Sequence, residues 1–202
     1  NKRLTQKYIQ QSLRWLLLLI LPVTALMSAP SSQLLNLLYT SEYVPASDVL
    51  SLLVLSVAFL VIFGTLGSII TGSGKPKVEM TLNISIFLGM VILNLYLIPK
   101  YGIIGAALSS LISAFFGMII GAIYIYKQFK ILVNLKSTIK IMVVTGIIYY
   151  LTLLWHFSSF YLLITYTLMA MLYLLLLWLF QEIKKEDLHI IYQLFKKAPK
   201  SI

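Results

Sequence analysis

The feature that most constrains this sequence is the alternation of long apolar runs with short connections that carry most of its charge. A helix needs about 20 consecutive apolar residues to cross the hydrocarbon core of a bilayer. The 202 residues are 60% hydrophobic and only 11% charged, so polar side chains are too few to cover a water-exposed surface. The chain therefore has room for roughly six such runs and for no large soluble domain.

These features predict an all-α fold: a polytopic membrane helix bundle with six transmembrane helices and a C-terminal amphipathic surface helix. The predicted parts are residues 1–126 with four transmembrane helices, the basic surface linker 127–136, residues 137–183 with two peripheral transmembrane helices, and the tail 184–202. In both the linker and the tail, apolar residues recur on one helical face among basic residues. This pattern is typical of segments that lie on a membrane surface.

Glycine and proline mark the predicted turns between spans. Pro99 has no amide proton and its ring clashes with the preceding turn, so we expect it to end the third helix near Leu97. Gly102 then allows the backbone to reverse before the fourth helix. Pro76 suits the first turn of the third helix, because that position needs no amide donor.

Two prolines and three polar side chains refine the predicted helix boundaries. Pro22 and Pro30 interrupt the first apolar run and predict kinks there. Ser47 or Asp48 is expected to cap the second helix, and Ser137 the fifth, since their side-chain oxygens accept hydrogen bonds from the amides of a first helical turn.

The basic residues are sorted by side. If the spans alternate in direction, all but one of the sixteen Lys and Arg residues fall on one side of the membrane, and only Lys100 falls on the other. Basic residues are enriched in cytoplasmic connections, so both ends of the chain are predicted to be cytoplasmic. The net charge of +10 is spread between spans rather than gathered on one face, which argues against nucleic acid as a partner.

Small side chains recur at four-residue intervals along the predicted fourth helix. One row is Gly102, Ala106, Ser110 and Ala114, and a second is Ser113, Gly117 and Gly121. Such rows leave a nearly flat helix face, which lets two membrane helices approach closely. We therefore interpret six of these residues as helix-packing residues: Gly102, Ala106, Ser110, Ser113, Gly117 and Gly121.

Three strings carry a resemblance to a known family. They are LLNLLYTSEYVPASDVL, the Gly-Lys-Pro-Lys turn at residues 74–77, and IPKYGIIGAALSS. In this order they resemble the C-terminal half of a polysaccharide flippase of the multidrug/oligosaccharidyl-lipid/polysaccharide exporter superfamily, which includes the O-antigen and lipid II flippases. The similarity is strongest from Arg14 to Ala122.

The resemblance implies a transporter, not an enzyme. It would flip a lipid-linked oligosaccharide of the undecaprenyl-pyrophosphate type across the bacterial inner membrane, for cell-surface polysaccharide biosynthesis, with two lobes rocking around a central cavity. The expected partners of this chain are the lipid-linked substrate, membrane lipids and a missing N-terminal lobe of the same protein. The first residue is Asn rather than Met, which favours a fragment. Without the first lobe that the resemblance implies, we expect it to form one wall of the cavity and not to translocate substrate alone.

Four polar residues within or near spans are candidates for substrate binding: Arg14, Asn36, Asn83 and Asn94. A guanidinium pairs with phosphate oxygens through two parallel bonds, so Arg14 is the candidate for the pyrophosphate; the alternative is a side chain that snorkels to the headgroups. The asparagines are candidates for sugar hydroxyls, or alternatively for hydrogen bonds between helices. We favour the second interpretation in each case.

No catalytic, cofactor-binding or metal-binding constellation is predicted. The chain has no cysteine, which excludes disulfides and thiolate metal sites within it. The six acidic residues all fall in connections or at helix ends. A mid-membrane carboxylate for coupling to protons or sodium is therefore not expected in this chain.

Three other functions stay open. A multidrug and toxin extrusion antiporter would share the two lobes but needs a coupling carboxylate, which is either absent or outside this chain. A membrane-bound glycan polymerase or transferase would need acidic or basic residues in large outer loops, and the predicted outer loops are short. A non-transporting membrane scaffold would bind partners through the rows of small residues.

Overall fold

The structure, a computed structural model, describes residues 2–131, 134–154, 162–180 and 182. Every regular element in these ranges is helical, which confirms the predicted all-α helix bundle. The elements are α1 (Lys2–Ser28), α2 (Ser31–Leu38), a 3-10 turn (Ser41–Ala46), α3 (Ser47–Gly72), α4 (Pro76–Tyr101), α5 (Ile103–Phe129), α6 (Leu135–Leu154) and α7 (Leu162–Leu179).

Five helices in the described ranges are long and apolar enough to cross a membrane: α1, α3 with the 3-10 turn before it, α4, α5 and α6. The sixth predicted span corresponds to α7, which has 18 residues. At a rise of 1.5 Å per residue it extends about 27 Å, close to the ~30 Å of a hydrocarbon core. The predicted ends of this span and the amphipathic tail 184–202 lie outside the described residues, apart from Phe180 and Glu182.

The centre of the bundle is formed by α3 and α5, which share the largest interface. α4 packs on these two helices, α1 packs on α3, and α6 and α7 pack on α1. One buried apolar cluster joins α1, α3 and α5: Ile9, Leu13, Leu66, Ile70 and Ile125. A second joins α1, α6 and α7: Leu18, Ile141, Val144, Ile148, Met169, Tyr173 and Leu177. α4 has no buried residue, so most of its surface faces outward.

Pro22 lies inside α1, and a residue of α7 replaces the hydrogen bond that the proline removes. Because proline has no amide proton, the carbonyl of Leu18 loses its helical partner. The Tyr173 hydroxyl donates to this carbonyl over 3.0 Å. An unpaired carbonyl is costly in hydrocarbon, so this bond makes the proline compatible with a spanning helix and also ties α7 to α1. Pro30, in contrast, lies at the break between α1 and α2.

Two predicted helix ends are wrong. Pro99 does not end α4, which continues to Tyr101, since one missing amide so near the end of a helix does not prevent the last residues from remaining helical. The helix ends instead at Gly102, which has a φ of 58°. Neither Ser47 nor Asp48 caps α3 with its side chain. The 3-10 turn before α3 supplies the Val44 carbonyl to the Ser47 amide, so the main chain rather than a side chain pairs the first amide of α3.

Ser137 does not cap the fifth predicted span, because α6 begins at Leu135 and contains it. The side chain of Asn134 accepts the Lys136 amide over 3.2 Å and takes the capping role. This asparagine lies outside the positions chosen from the sequence.

The predicted surface linker is shorter in the structure than in the sequence-based prediction. α5 continues to Phe129, and Lys130, with a φ of 55°, ends it in a left-handed conformation. Ile131 is buried rather than spread on a surface. Residues 132–133, which were predicted to share the linker's apolar face, lie outside the described residues.

We expect Tyr173→Phe to lower the free energy of unfolding by about 1–2 kcal/mol, because it leaves the Leu18 carbonyl unpaired. Pro22→Ala restores an amide for this carbonyl, so Tyr173→Phe should cost less in that background. Unfolding of the single and double variants in one detergent measures the coupling.

The matched control is Tyr166→Phe on the same helix, since the Tyr166 hydroxyl is buried without a hydrogen-bond partner among the described residues. It should not destabilise the protein. Equal costs of Tyr173→Phe with and without Pro22 would contradict the prediction.

Candidate functional site

The structure gathers the basic connections at one end of the bundle. Gln6, near the start of α1, donates to the main-chain oxygen of Phe129 at the end of α5 over 2.9 Å. Gln128 donates to the Ser73 hydroxyl in the turn between α3 and α4 over 3.1 Å. We call this the basic end. Lys100 lies at the opposite end of α4, where its ammonium is 3.7 Å from the centroid of the Tyr96 ring.

Arg14 is buried at the basic end. Its side chain is only 9% exposed, and Nη1 donates to the main-chain oxygen of Glu182 over 3.5 Å. Glu182 is buried too: Ser137 donates to its carboxylate, and Lys140 lies 3.7 Å from its other oxygen. These contacts among Arg14, Ser137, Lys140 and Glu182 link α1, α6 and the position just beyond α7. The sequence did not single out Glu182, because an acid after an apolar run resembles any solvated helix end.

The three candidate asparagines lie apart. Asn94 is half-buried on α4 and accepts a hydrogen bond from Ser109 of α5, so it bonds between helices. Asn36 is exposed on α2, away from the basic end. Asn83 is exposed on α4, and its Nδ2 donates to the main-chain oxygen of Glu79 over 3.1 Å. The structure therefore does not bring the four predicted binding residues into one site.

A different polar group lies between α3 and α4 near the basic end. It consists of Thr71, Glu79 and Asn83, which we call the α3–α4 polar cluster. Thr71 donates to the carboxylate of Glu79. Glu79 lies in the first turn of α4, where the helix dipole favours a negative charge. Thr71 and Asn83 are exposed and Glu79 is half-buried, so the cluster offers hydrogen-bonding groups at the surface of two spans.

Gly67 of α3 leaves the space that the Glu79 side chain occupies. A Cβ at this position would lie 2.9 Å from Glu79 Oε1. Because residue 67 has no side chain, the Glu79 carboxylate can pack directly against α3 and reach Thr71. Neither Gly67 nor Glu79 was chosen as a site residue from the sequence, since one acid in a first helical turn is adequately explained by the dipole.

Small residues bring α5 close to α3 and α4. Five of them are buried and recur every four residues: Gly105, Ser109, Ser113, Gly117 and Gly121. We call them the α5 small-residue row. A Cβ on Gly117 would lie 2.7 Å from Ile86 of α4, and one on Gly121 would lie 3.3 Å from Leu66 of α3. A Cβ on Gly105 would lie 2.3 Å from the Leu97 carbonyl oxygen, so backbone contacts backbone there.

The predicted helix-packing residues overlap this row in part. Ser113, Gly117 and Gly121 lie in it. Ala106 and Ser110 are half-buried beside it, and Gly102 is an exposed turn residue. The predicted row began at Gly102, which precedes the helix. The prediction therefore chose Ala106 and Ser110 instead of the neighbouring buried residues Gly105 and Ser109. The four-residue spacing from residue 105 to residue 121 was present in the sequence and would have identified the row.

These observations define a class: a multi-pass membrane protein built as a helix bundle, with its cationic connections at one end. The family model described as MatE matches residues 1–97. The chain superposes on the lipid II flippase MurJ in its inward closed conformation with a TM-score of 0.77 and 21% identity. The match covers 89% of this chain and 40% of that one, and it shows a common fold.

Two curated proteins are similar in sequence. The uncharacterized membrane protein MJ1068 of Methanocaldococcus jannaschii is 30% identical over 103 residues, which is 49% of this chain and 20% of that protein. The capsular polysaccharide biosynthesis protein CapF of Staphylococcus aureus is 34% identical over 95 residues, which is 47% of this chain and 24% of that protein. The matches thus span a quarter or less of these relatives. The predicted resemblance to a flippase of the exporter superfamily is confirmed.

We expect Gly105→Ala to lower the free energy of unfolding by about 1–3 kcal/mol, because the added methyl group meets the Leu97 carbonyl and forces α4 and α5 apart. Gly146→Ala on α6 is the matched control, since a Cβ there meets no atom within 4 Å. Unfolding of both variants in one detergent measures the difference. A cost of Gly146→Ala equal to that of Gly105→Ala would contradict the role assigned to close helix approach.

Proposed function

We propose that this chain is part of a transporter that flips a lipid-linked oligosaccharide of the undecaprenyl-pyrophosphate type across the inner membrane by alternating access. The observation that carries the proposal is the 34% identity to a protein named for capsular polysaccharide biosynthesis. The flippase fold supports it. Because the match covers 40% of that flippase, we propose that a second lobe supplies the opposite wall of the cavity.

We further propose that the α3–α4 polar cluster contacts the substrate. Sugar hydroxyls both donate and accept hydrogen bonds, as the Asn83 amide does, and the Glu79 carboxylate accepts them. Lys75 and Lys77 are exposed in the adjacent turn, where their ammonium groups suit a pyrophosphate. We do not assign Arg14 or Asn94 to the substrate, since their contacts join helices.

Deleting the coding region for this chain in the source cell tests the function. We expect loss of surface polysaccharide and accumulation of its lipid-linked precursor, both reversed by the wild-type gene. The Asn83→Ala and Glu79→Gln variants should restore export about ten-fold less well: the first loses a hydrogen bond and the second exchanges a charged acceptor for a weaker neutral one, each at about 1.4 kcal/mol. Glu42→Gln, an exposed acid at the other end, is the matched control and should restore it fully.

Unchanged precursor levels with a gain in drug sensitivity would contradict polysaccharide export and indicate the antiporter alternative. The two-lobe proposal has its own test in liposomes that contain a fluorescent undecaprenyl-linked sugar. The chain alone should give no flipping above protein-free liposomes. Robust flipping by the chain alone would contradict the need for a second lobe.

The proposed orientation, with both ends in the cytoplasm, is testable because the chain has no cysteine of its own. Single-cysteine variants Ser41→Cys and Tyr101→Cys should react with a membrane-impermeant maleimide in intact cells. Lys77→Cys and Lys136→Cys should react only after the membrane is opened. All four positions are exposed in the structure, so accessibility reports sidedness. The reverse pattern would contradict the cytoplasmic placement of the basic end.

A further inference from the structure

An apolar cavity of about 510 Å³ lies among α1, α3, α5 and α6. Its lining extends along α1 from Leu13 to Leu21 and along α3 from Phe59 to Leu66. Eight residues of helix rise about 12 Å, which is close to the ~15 Å of hydrocarbon in one leaflet. Apart from Tyr126 and Thr138, every side chain that lines the cavity is apolar. Its length and chemistry therefore suit an alkyl chain from the leaflet at the basic end.

The mouth of the cavity at the basic end is cationic. Tyr126 and Ile131 line it there, and the ammonium of Lys130 lies 5.8 Å from the centroid of the Tyr126 ring. Lys127, in the last turn of α5, and Lys136, in the first turn of α6, are exposed on either side of the connection that holds Lys130. The acid described nearby, Glu182, forms an ion pair with Lys140 over 3.7 Å, so Lys140 offsets its charge and the other lysines stay uncompensated by it.

The wall of the cavity offers almost no hydrogen-bonding surface. Thr138 lines it, but its Oγ1 is buried and does not face the cavity space. A polar headgroup therefore has to stay outside, at the mouth. The apolar channel and the lysines together match an amphiphile with one alkyl chain inserted and an anionic head outside.

We propose that this cavity binds an acyl chain of an anionic phospholipid, whose phosphate lies at the lysines around the connection between α5 and α6. The lipid fills the space between α6 and the centre of the bundle, where an empty cavity would cost stability. The anionic headgroup distinguishes it from the other lipids around the protein, since attraction to a basic segment adds about a factor of five per Lys. The site does not depend on which substrate the protein transports.

Native mass spectrometry of the purified full chain, titrated with phosphatidylglycerol or with phosphatidylcholine of the same acyl chains, tests the proposal. We expect tighter binding of phosphatidylglycerol, weakened about five-fold by Lys130→Gln. Lys100→Gln is the matched control: it removes the same charge from an exposed position at the opposite end of the bundle and should leave binding unchanged.

Filling the cavity gives an independent readout. Ala122 lines it, so Ala122→Phe should abolish the bound phosphatidylglycerol. Ala170→Phe places the same side chain on the exposed face of α7 and should not. If Ala122→Phe does not fold, the comparison of Lys130→Gln with Lys100→Gln decides the question. Equal binding of the two phospholipids, equal effects of Lys130→Gln and Lys100→Gln, or displacement of phosphatidylglycerol by equimolar undecaprenyl phosphate would overturn the proposal.

Discussion

The close approach of α5 to α3 and α4 is the contact on which the rest of the bundle depends. Lipid tails are as apolar as leucine, so burial of apolar surface does not hold spanning helices together. Van der Waals contact must do so, and it is effective only where backbones come near each other. The α5 small-residue row provides this approach, with Ile86 seated against Gly117 and Leu66 against Gly121. α1 packs on this centre through α3, and α6 and α7 pack on α1.

Polar groups inside the spans are satisfied locally in most cases. Four hydroxyls each donate a hydrogen bond to a main-chain carbonyl of the preceding turn: those of Thr24, Thr65, Ser68 and Ser85. A hydroxyl in a spanning helix therefore does not by itself indicate a path for substrate. The contact between Thr71 and Glu79 differs, because it joins two helices at a surface of the bundle and involves a carboxylate. This difference is why the α3–α4 polar cluster, rather than the hydroxyls in general, is assigned to the substrate.

The sequence predicted the parts of the fold that depend on hydrophobicity and on backbone chemistry. The helix bundle, the turn at Gly102 and the placement of Pro76 in the first turn of α4 all follow from these. Prediction from the sequence failed where a tertiary contact determines the local structure. Pro22 is tolerated because Tyr173 arrives from a helix about 150 residues away, and no local pattern contains that information.

The candidate site was harder to predict for the same reason. Four polar residues were chosen because they interrupt apolar runs. Such a pattern does not indicate which residues their side chains contact in the folded protein. Asn94 meets Ser109, and Arg14 meets the main chain at Glu182. Glu79 was discounted as an ordinary first-turn acid, whereas in the structure it packs into the space at Gly67 and accepts a hydrogen bond from Thr71 of α3. Three-dimensional neighbours, not residue types, separate the groups that join helices from those that face outward.

The gathering of lysines at one end has a consequence for how the molecule stays in place. Turning α3 and α4 over would carry Lys75 and Lys77 through hydrocarbon, and each lysine costs about 2.5–3.5 kcal/mol at mid-bilayer on the insertion scale. The turn after α5 adds Lys127 and Lys130 to the same barrier. Tilting of whole helices is compatible with this anchoring, whereas exchange of the two ends is not. The charged end thus stays on one side of the membrane whenever the helices tilt, so the lysines fix the orientation of the bundle without fixing its conformation.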